Sequence, residues 1–431
     1  MTLMPIPQID SLIALDLEPI DRQPSGRDQV VYRLNFEIGS DTQMKITLQS
    51  WLGSILRREV VGTIAEWSHK VSELSSYMAV VYRLSSESTK TQQTVNVENV
   101  ASYIGRQLWE LIHHSLELLS SWKQFIKDVT EHPELPRCIC IVGENYLVSV
   151  PLECFISTEP WILLHHYNVP VIRKNSVHIV KASEPYMLDL PLPTEVIVLL
   201  GNDPRALDGK SIDYHGEIRS WYQMLQPDKE ILDEEVDSCV FCGGEIQSNE
   251  HLQHCNIIIV PKGNLKNLRS AVSGKVQPFL FVYIGHGNYL NYANHRDGHL
   301  AIESDSSQHR MGDPNDQEVL ADILSDVNTA GVLLNCCEGL RNLEFTSAGG
   351  VEDYYFGKIP SLKILMGFRS KVMDVNAQLI SQQLIQSILA GHSLLEFLSE
   401  VVKVEGVVRY NDDYMKDKAF RDRISRVSLL A

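Results

Sequence analysis

Residues 281–290 read FVYIGHGNYL. An apolar and aromatic run ends abruptly at Gly285, His286 and Gly287. A continuous apolar run of this length, without polar alternation, is typical of a strand that is buried on both faces. The stretch therefore predicts a core strand whose end presents one imidazole between two residues that have no side chain.

Four other runs in the second half of the chain share this pattern, which predicts a parallel sheet between helix layers. The five predicted strands are therefore the first run, 278–285, and the four others, 195–201, 255–261, 330–337 and 362–368. Helical patterns separate them at 214–226, 263–273, 318–327, 349–357 and 375–391. The last pattern ends at Gly391, and glycine is typical of the end of a helix.

The first half of the chain has a different organisation. Residues 29–38 and 44–51 predict two strands of a hairpin, and the polar stretch 85–94 is typical of a linker. Apolar residues at three- and four-residue spacing predict a long helix over 97–126. Residues 137–155 are interpreted as a second hairpin that turns at Gly143.

Composition narrows the possible functions. The chain has 431 residues, 44% of them hydrophobic, which is typical of a globular protein. Its net charge of −17 argues against general nucleic-acid binding, which needs a basic face. The N-terminus lacks the pattern of a signal peptide and the longest apolar runs are too short to cross a bilayer, so we expect a cytoplasmic protein without membrane contact. There the eight cysteines would mostly be reduced.

Two consecutive predicted strands end in residues that can perform chemistry together. One ends at His286, and the next ends at Cys336 and Cys337, 51 residues beyond the histidine. In open parallel sheets, functional groups collect at the carboxyl ends of strands. A thiol needs a base to become a thiolate near neutral pH, and histidine is the usual one. The backbone N–H groups of Gly287 and Cys337 would then form an oxyanion hole.

These residues carry a resemblance to a known family. The stretch from about residue 97 to 405 resembles the CHAT domains, caspase-like cysteine peptidases of clan CD. Members typically have a strand that ends in Gly-His-Gly and a later strand that ends in Ser-Ala-Cys-Glu, which correspond to 285–287 and 335–338. Further matching stretches are 148–155, 170–177, 201–209, 298–305 and 364–374.

The resemblance implies a fold and an organisation for the whole chain. The expected fold class is a caspase-like three-layer α/β/α sandwich with a mostly parallel sheet, plus a small N-terminal α+β region. The expected parts are a regulatory or partner-binding region (1–95), the leading helix and hairpin of the CHAT domain (96–185), a caspase-like catalytic core (186–410) and a C-terminal tail (411–431).

The chain departs from the family pattern beside the nucleophile. Asn335 and Cys336 stand where Ser and Ala are typical, so two thiols compete for the role. The alignment favours Cys337 because Glu338 follows it directly, and Cys336 should point to the opposite side of the strand. In arginine-specific relatives, an Asp two residues before the nucleophile binds a basic side chain. Asn335 occupies that substrate-binding position here.

A second constellation offers a metal-binding alternative. Cys239, Cys242, His251 and Cys255 have a knuckle-like spacing that could hold zinc. The competing interpretation is that Cys255 begins a core strand and the other three lie in a loop. The main prediction includes no metal and no cofactor.

The sequence therefore predicts a cysteine endopeptidase with a His286/Cys337 dyad. The resemblance implies a protein substrate, a protein activator or regulatory partner, and a role in bacterial antiviral defence or regulated cell death. The alternatives are a catalytically silent CHAT scaffold, which would act as an interaction module, and a zinc-dependent binding module.

Overall fold

A computed structural model of the chain shows two compact units. Unit one comprises 1–23, 192–342 and 349–392, and unit two comprises 24–191, 343–348 and 393–431. The structure describes residues 3–6, 13–15, 30–38, 43–49, 55–63, 65–67, 69–70, 73–74, 103, 107, 116–133, 135–143, 171–175, 192–193, 195–201, 212, 214–225, 230–233, 257–261, 263–273, 275–289, 298–300, 302, 314–336, 355, 357–367, 374–398 and 429–430.

Unit one is built on a six-stranded sheet in which five strands are parallel. Its order is β2 (Ile13–Leu15), β10 (Ile257–Val260), β8 (Glu195–Leu200), β11 (Phe279–Ile284), β14 (Thr329–Asn335) and β15 (Ile364–Gly367). β2 runs antiparallel to its neighbour, and the other pairs are parallel. All five predicted core strands are present, and the predicted α/β class with a mostly parallel sheet is confirmed.

Helices cover both faces of this sheet. They are α2 (Tyr214–Leu225), α3 (Leu265–Val272), α4 (Pro314–Ser325) and α5 (Asp374–Leu389). Residues of α3 and α4 share one hydrophobic cluster with Phe281, Tyr283 and Leu334. The opposite face meets α5, because the side chain of Asn335 reaches that helix. Since side chains alternate along a strand, the two contacts define two helix layers with the sheet between them.

The helices lie close to their predicted positions. The predicted helix 214–226 is observed as Tyr214–Leu225, and 375–391 as Asp374–Leu389. Gly391 follows α5 with a φ of 71°, a left-handed conformation that glycine adopts without steric cost. The predicted helix 318–327 begins earlier, at Pro314, where a proline is tolerated because the first turn has no partner for its missing N–H.

Two short pairings complete unit one. β1 (Leu3–Ile6) runs parallel to β9 (Glu230–Asp233). β12 (Gly287–Tyr289) follows directly on the end of β11 and runs antiparallel to β13 (Gly298–Leu300). The Gly-His-Gly stretch therefore joins the parallel sheet to a two-stranded ribbon.

Unit two has its own six strands and helix α1 (Leu116–Glu131). The strand order is β16 (Leu429–Leu430), β7 (Val171–Asn175), β6 (Arg137–Gly143), β3 (Val30–Ile38), β4 (Gln43–Gln49) and β5 (Ile55–Thr63). The predicted hairpin of 29–38 and 44–51 is confirmed, since β3 and β4 pair antiparallel. Of the predicted helix 97–126, the described part contains the beginning of α1.

The predicted hairpin over 137–155 is wrong. β6 pairs in parallel with β3 on one edge and with β7 on the other. Because a strand has only two edges for hydrogen bonding, no edge of β6 is left for a strand returning from Gly143. Residues 144–155 lie outside the described part of the chain.

Buried polar groups link α1 to the sheet of unit two. The hydroxyl of Tyr32 donates to Asp128 of α1, and the Tyr32 ring packs edge-to-face on Phe125. Burial, together with the carboxylate of Asp128, raises the pKa of Tyr32 well above its usual value. The guanidinium of Arg137 donates to the carbonyl groups of Val129 and His132, which closes the carboxyl end of α1.

The expected domain limits near residues 95, 185 and 410 stay predictions. Strands β1 and β2, from the first 23 residues, lie in unit one. From the expected tail, β16 pairs with β7 in unit two. Within the described residues, no helix has the length and apolar character needed to cross a membrane.

Candidate active site

The ends of β11 and β14 lie side by side at the carboxyl edge of the sheet. The strands are parallel neighbours, and Ile284 lies opposite Asn335 in the register. His286 follows the first of these positions by two residues, and Cys337 follows the second by the same two residues. Neighbouring strands are about 4.8 Å apart, so the paired positions Ile284 and Asn335 lie close together.

His286 stands at the point where the chain leaves β11. It is partly buried, and its backbone carbonyl accepts a hydrogen bond of 2.9 Å from the hydroxyl of Tyr283. Tyr283 is fully buried within the hydrophobic cluster of unit one. The histidine is thus attached to the core through its main chain.

Gly285 is required by the closeness of its neighbours. A Cβ at this position would lie 2.7 Å from Cζ of Tyr283, nearer still to its hydroxyl oxygen, and 3.0 Å from Cα of Gly201. Cβ atoms do not come this close to other heavy atoms in folded proteins, so any larger residue would displace the tyrosine or the backbone. The glycine before His286 therefore leaves room for the phenol ring.

The end of β8 supports the same turn from the other side. The N–H of Gly201 donates to the carbonyl of Ile284 over 2.7 Å. The carbonyl of Gly201 in turn accepts from the hydroxyl of Tyr214, the first residue of α2, over 3.3 Å. The backbone on both sides of Gly285 is therefore held by hydrogen bonds.

Gly287 begins β12 and lies opposite Leu300 of β13. Leu300 and Ile302 are buried in the same hydrophobic cluster as Tyr283. The predicted oxyanion donor is therefore the first residue of a ribbon whose second strand is anchored in the core.

Asn335 is buried, with 2% of its surface exposed, at the end of β14. Its Nδ2 donates to the carbonyl of Ala377 in α5 over 3.0 Å. This bond fixes the orientation of the amide, because only the nitrogen can donate to a carbonyl. The Oδ1 atom is buried and accepts no hydrogen bond from the described residues. The residue predicted to bind substrate is thus attached to a helix, and its role in binding stays a prediction.

A second polar contact lies one helical turn further along α5. The hydroxyl of Ser381 donates to the carboxylate of Glu217 in α2, and both side chains are buried. Because Ser381 lies four residues after Ala377, the two contacts share one face of α5. The end of β14 is therefore linked through α5 to α2.

The structure places Cys336 in the hydrophobic core. It is 2% exposed, in the cluster that contains Tyr283 and Leu334. Asn335, its neighbour, points to the opposite helix layer. A buried thiol in apolar surroundings is chemically inert, because burial disfavours the thiolate.

Two predicted sets of residues fall outside the described part of the chain. Cys337, the predicted nucleophile, directly follows Cys336, the last described residue after β14. The predicted zinc ligands Cys239, Cys242, His251 and Cys255 all lie in the segment between β9 and β10 that is not described. Among the described residues, no group of three His, Cys, Asp or Glu side chains is placed to hold a metal ion.

Sequence reasoning missed the residues that hold the two strand ends. Tyr283, Gly201 and Ser381 were not singled out as parts of the site. One signal was present: a tyrosine two residues before a glycine points to the same face of the strand, where only glycine leaves room for its ring. No comparable signal marks Ser381, because its partner Glu217 lies 164 residues away.

Comparison with known proteins gives a similarity of structure alone. No family model matches the chain, and no curated protein matches it by sequence. Two crystal structures of the Saccharomyces cerevisiae separase–securin complex, at 3.0 and 2.6 Å resolution, are similar to it with TM-scores of 0.42 and 0.40. Each match has 10% sequence identity and covers 94% of this chain and 30% of the other. The chain thus spans less than a third of the proteins it matches, and interpretation of its function depends on its own residues.

Proposed function

We propose that the protein is a cysteine endopeptidase whose dyad is His286 and Cys337. The observation that carries the proposal is the register of β11 and β14, in which Ile284 lies opposite Asn335. The histidine and the cysteine each follow these paired positions by two residues. A base and a nucleophile at adjacent strand ends are what thiol activation needs.

The choice between the two cysteines follows from the faces of β14. Cys336 lies in the hydrophobic cluster, and Asn335 points toward α5. In the resemblance to CHAT domains, a glutamate directly follows the nucleophile, and Glu338 directly follows Cys337. Cys337 is therefore the proposed nucleophile, and Cys336 is a core residue.

The proposed reaction uses no metal and no organic cofactor. His286 takes the proton from Sγ of Cys337, and the thiolate attacks the carbonyl carbon of the scissile bond. The N–H groups of Gly287 and Cys337 hold the negative oxygen that forms. When the intermediate collapses, the C–N bond breaks and His286 gives its proton to the departing amine. Water then hydrolyses the thioester and regenerates the thiol.

The proposal extends to the setting in which the enzyme acts. The chain lacks the pattern of a signal peptide at its N-terminus, and we place the protein in the cytoplasm. The resemblance to CHAT domains suggests a protein substrate, a protein activator and a role in bacterial antiviral defence. These finer statements rest on analogy, since one fold supports many functions.

The test is a comparison of new protein N-termini by mass spectrometry. Wild type, Cys337→Ala and Cys336→Ala are each incubated with a lysate of the source cells, with and without the products of neighbouring genes. We expect new termini with wild type and with Cys336→Ala, and none with Cys337→Ala. Termini that persist in Cys337→Ala would assign the nucleophile elsewhere. If wild type produces none under either condition, the silent scaffold becomes the better description.

A further inference from the structure

The hydroxyl of Tyr283 contacts the main chain of the proposed catalytic base. It donates to the carbonyl of His286 over 2.9 Å. The tyrosine itself is fully buried, in the cluster on the side of the sheet that α3 and α4 cover. A tyrosine buried in a core usually finds a partner for its hydroxyl. Here that partner is a backbone carbonyl at the edge of the proposed site.

The ring reaches that carbonyl only because residue 285 has no side chain. The space that a Cβ would need at Gly285 is filled by the phenol ring. The preceding peptide is also held, since the carbonyl of Ile284 accepts from the N–H of Gly201 over 2.7 Å. Gly285 therefore leaves room for Tyr283, and the hydrogen bond from Tyr283 to the His286 carbonyl holds a second peptide.

The peptide between His286 and Gly287 is the one that the Tyr283 hydroxyl contacts. Its carbonyl belongs to His286 and its N–H to Gly287, and in a trans peptide these two groups point in opposite directions. With the carbonyl turned toward Tyr283, the N–H of Gly287 points away from the phenol. Gly287 also lies opposite Leu300 in the ribbon, so the ribbon and the hydrogen bond from Tyr283 together restrain this peptide.

We propose that Tyr283 is a positioning residue that holds the His286–Gly287 peptide in the orientation that presents the Gly287 N–H to the oxyanion. This rests on the proposed function, in which that N–H stabilises the intermediate. The tyrosine touches no reacting atom and acts through the peptide alone.

Thiolate formation and addition to the carbonyl should respond differently to loss of the Tyr283 hydroxyl. Rotation of one peptide plane changes ψ of His286 and φ of Gly287 and leaves the adjoining Cα atoms nearly in place. The imidazole therefore keeps its position, and formation of the thiolate is unaffected. Addition to a carbonyl needs the oriented N–H as well. A merely structural tyrosine would affect both steps together.

The experiment compares Tyr283→Phe with Tyr355→Phe. Both variants remove one hydroxyl from fully buried tyrosines of the same cluster, and the second leaves the hydrogen bond to His286 intact. Two rates are measured for each: the release of new N-termini in the lysate, and the alkylation of Cys337 by iodoacetamide, which forms no oxyanion. We expect Tyr283→Phe to slow cleavage about tenfold or more and to leave alkylation within about twofold of wild type. Tyr355→Phe should change neither rate.

Three results would overturn the inference. One is cleavage by Tyr283→Phe at the wild-type rate. Another is an equal loss of cleavage and alkylation, which would mean a general disturbance of the site. The third needs no activity: crystal structures of wild type and Tyr283→Phe in which the 286–287 peptide keeps one orientation. If wild type itself produces no new termini, the proposed function fails, and the crystal structures still decide whether Tyr283 controls the peptide.

Discussion

The ends of β11 and β14 are neighbours in one sheet, yet they are held from opposite helix layers. The end of β11 is held by backbone hydrogen bonds and by Tyr283, on the side of α3 and α4. The end of β14 is held by a side-chain amide that reaches α5. The two halves of the proposed dyad therefore have separate supports. A substitution can weaken the contacts at one strand end and leave those at the other intact.

The largest effect should follow Gly285→Ala, which breaks the support of β11. The new methyl group would collide with Tyr283 and with the backbone of Gly201, so the free energy of unfolding should fall by about 3 kcal/mol. Urea unfolding measures the change. The control is Gly357→Ala, since a Cβ there would meet no atom within 4 Å. An equal effect of both substitutions would contradict the close approach at Gly285.

Asn335→Ala tests the support of β14. It removes a buried amide and its bond to Ala377, so we expect stability to fall by about 2 kcal/mol. Cleavage should also slow, because the strand that leads to Cys337 is no longer attached to α5. Asn328→Ala is the matched control: its amide donates to the carbonyl of Val276 over 3.3 Å at the surface. The control should cost less than about 0.5 kcal/mol.

If Asn335→Ala unfolds no more easily than Asn328→Ala, the amide does not hold the strand end. If it is destabilised while cleavage stays at the wild-type rate, the contact supports the fold and not the site. Either result would show that the Asn335 amide does not support the proposed site.

The smallest effects concern two serines of α5. Ser381→Ala removes a hydroxyl that donates to the buried Glu217, and should lower stability by about 1 kcal/mol. Ser387→Ala should be neutral or slightly stabilising, since that buried hydroxyl forms no hydrogen bond with any described residue. Thermal unfolding of both variants measures the two changes in stability. Equal effects would show that α5 is not held through Glu217.

Much of unit one is predictable because its signals are local. Strands β8 and β11 appear as continuous apolar runs, and Gly391 marks the end of α5. The predicted hairpin over 137–155 is wrong because β6 pairs with β3 and β7, which lie far from it in sequence. Apolar periodicity identifies a strand but carries no information about its partners.

The candidate site also contains one residue that the sequence predicts and one contact that it does not. His286 stood out because it follows a buried strand between two glycines. The contact of Asn335 with Ala377 could not be predicted, because it depends on where α5 crosses the sheet. The amide bonds to a backbone carbonyl, which every residue has, so the identity of its partner leaves no trace in the sequence.

The most direct test of the dyad is the pH dependence of Cys337 alkylation by iodoacetamide, followed by mass spectrometry in wild type and His286→Ala. A free thiol titrates near pH 8.5, and a histidine partner lowers that midpoint. We expect a wild-type midpoint clearly below 8.5 that returns toward it in His286→Ala, with Cys336 unlabelled in both folded proteins. Identical profiles for the two proteins, or preferential labelling of Cys336, would contradict a His286/Cys337 dyad.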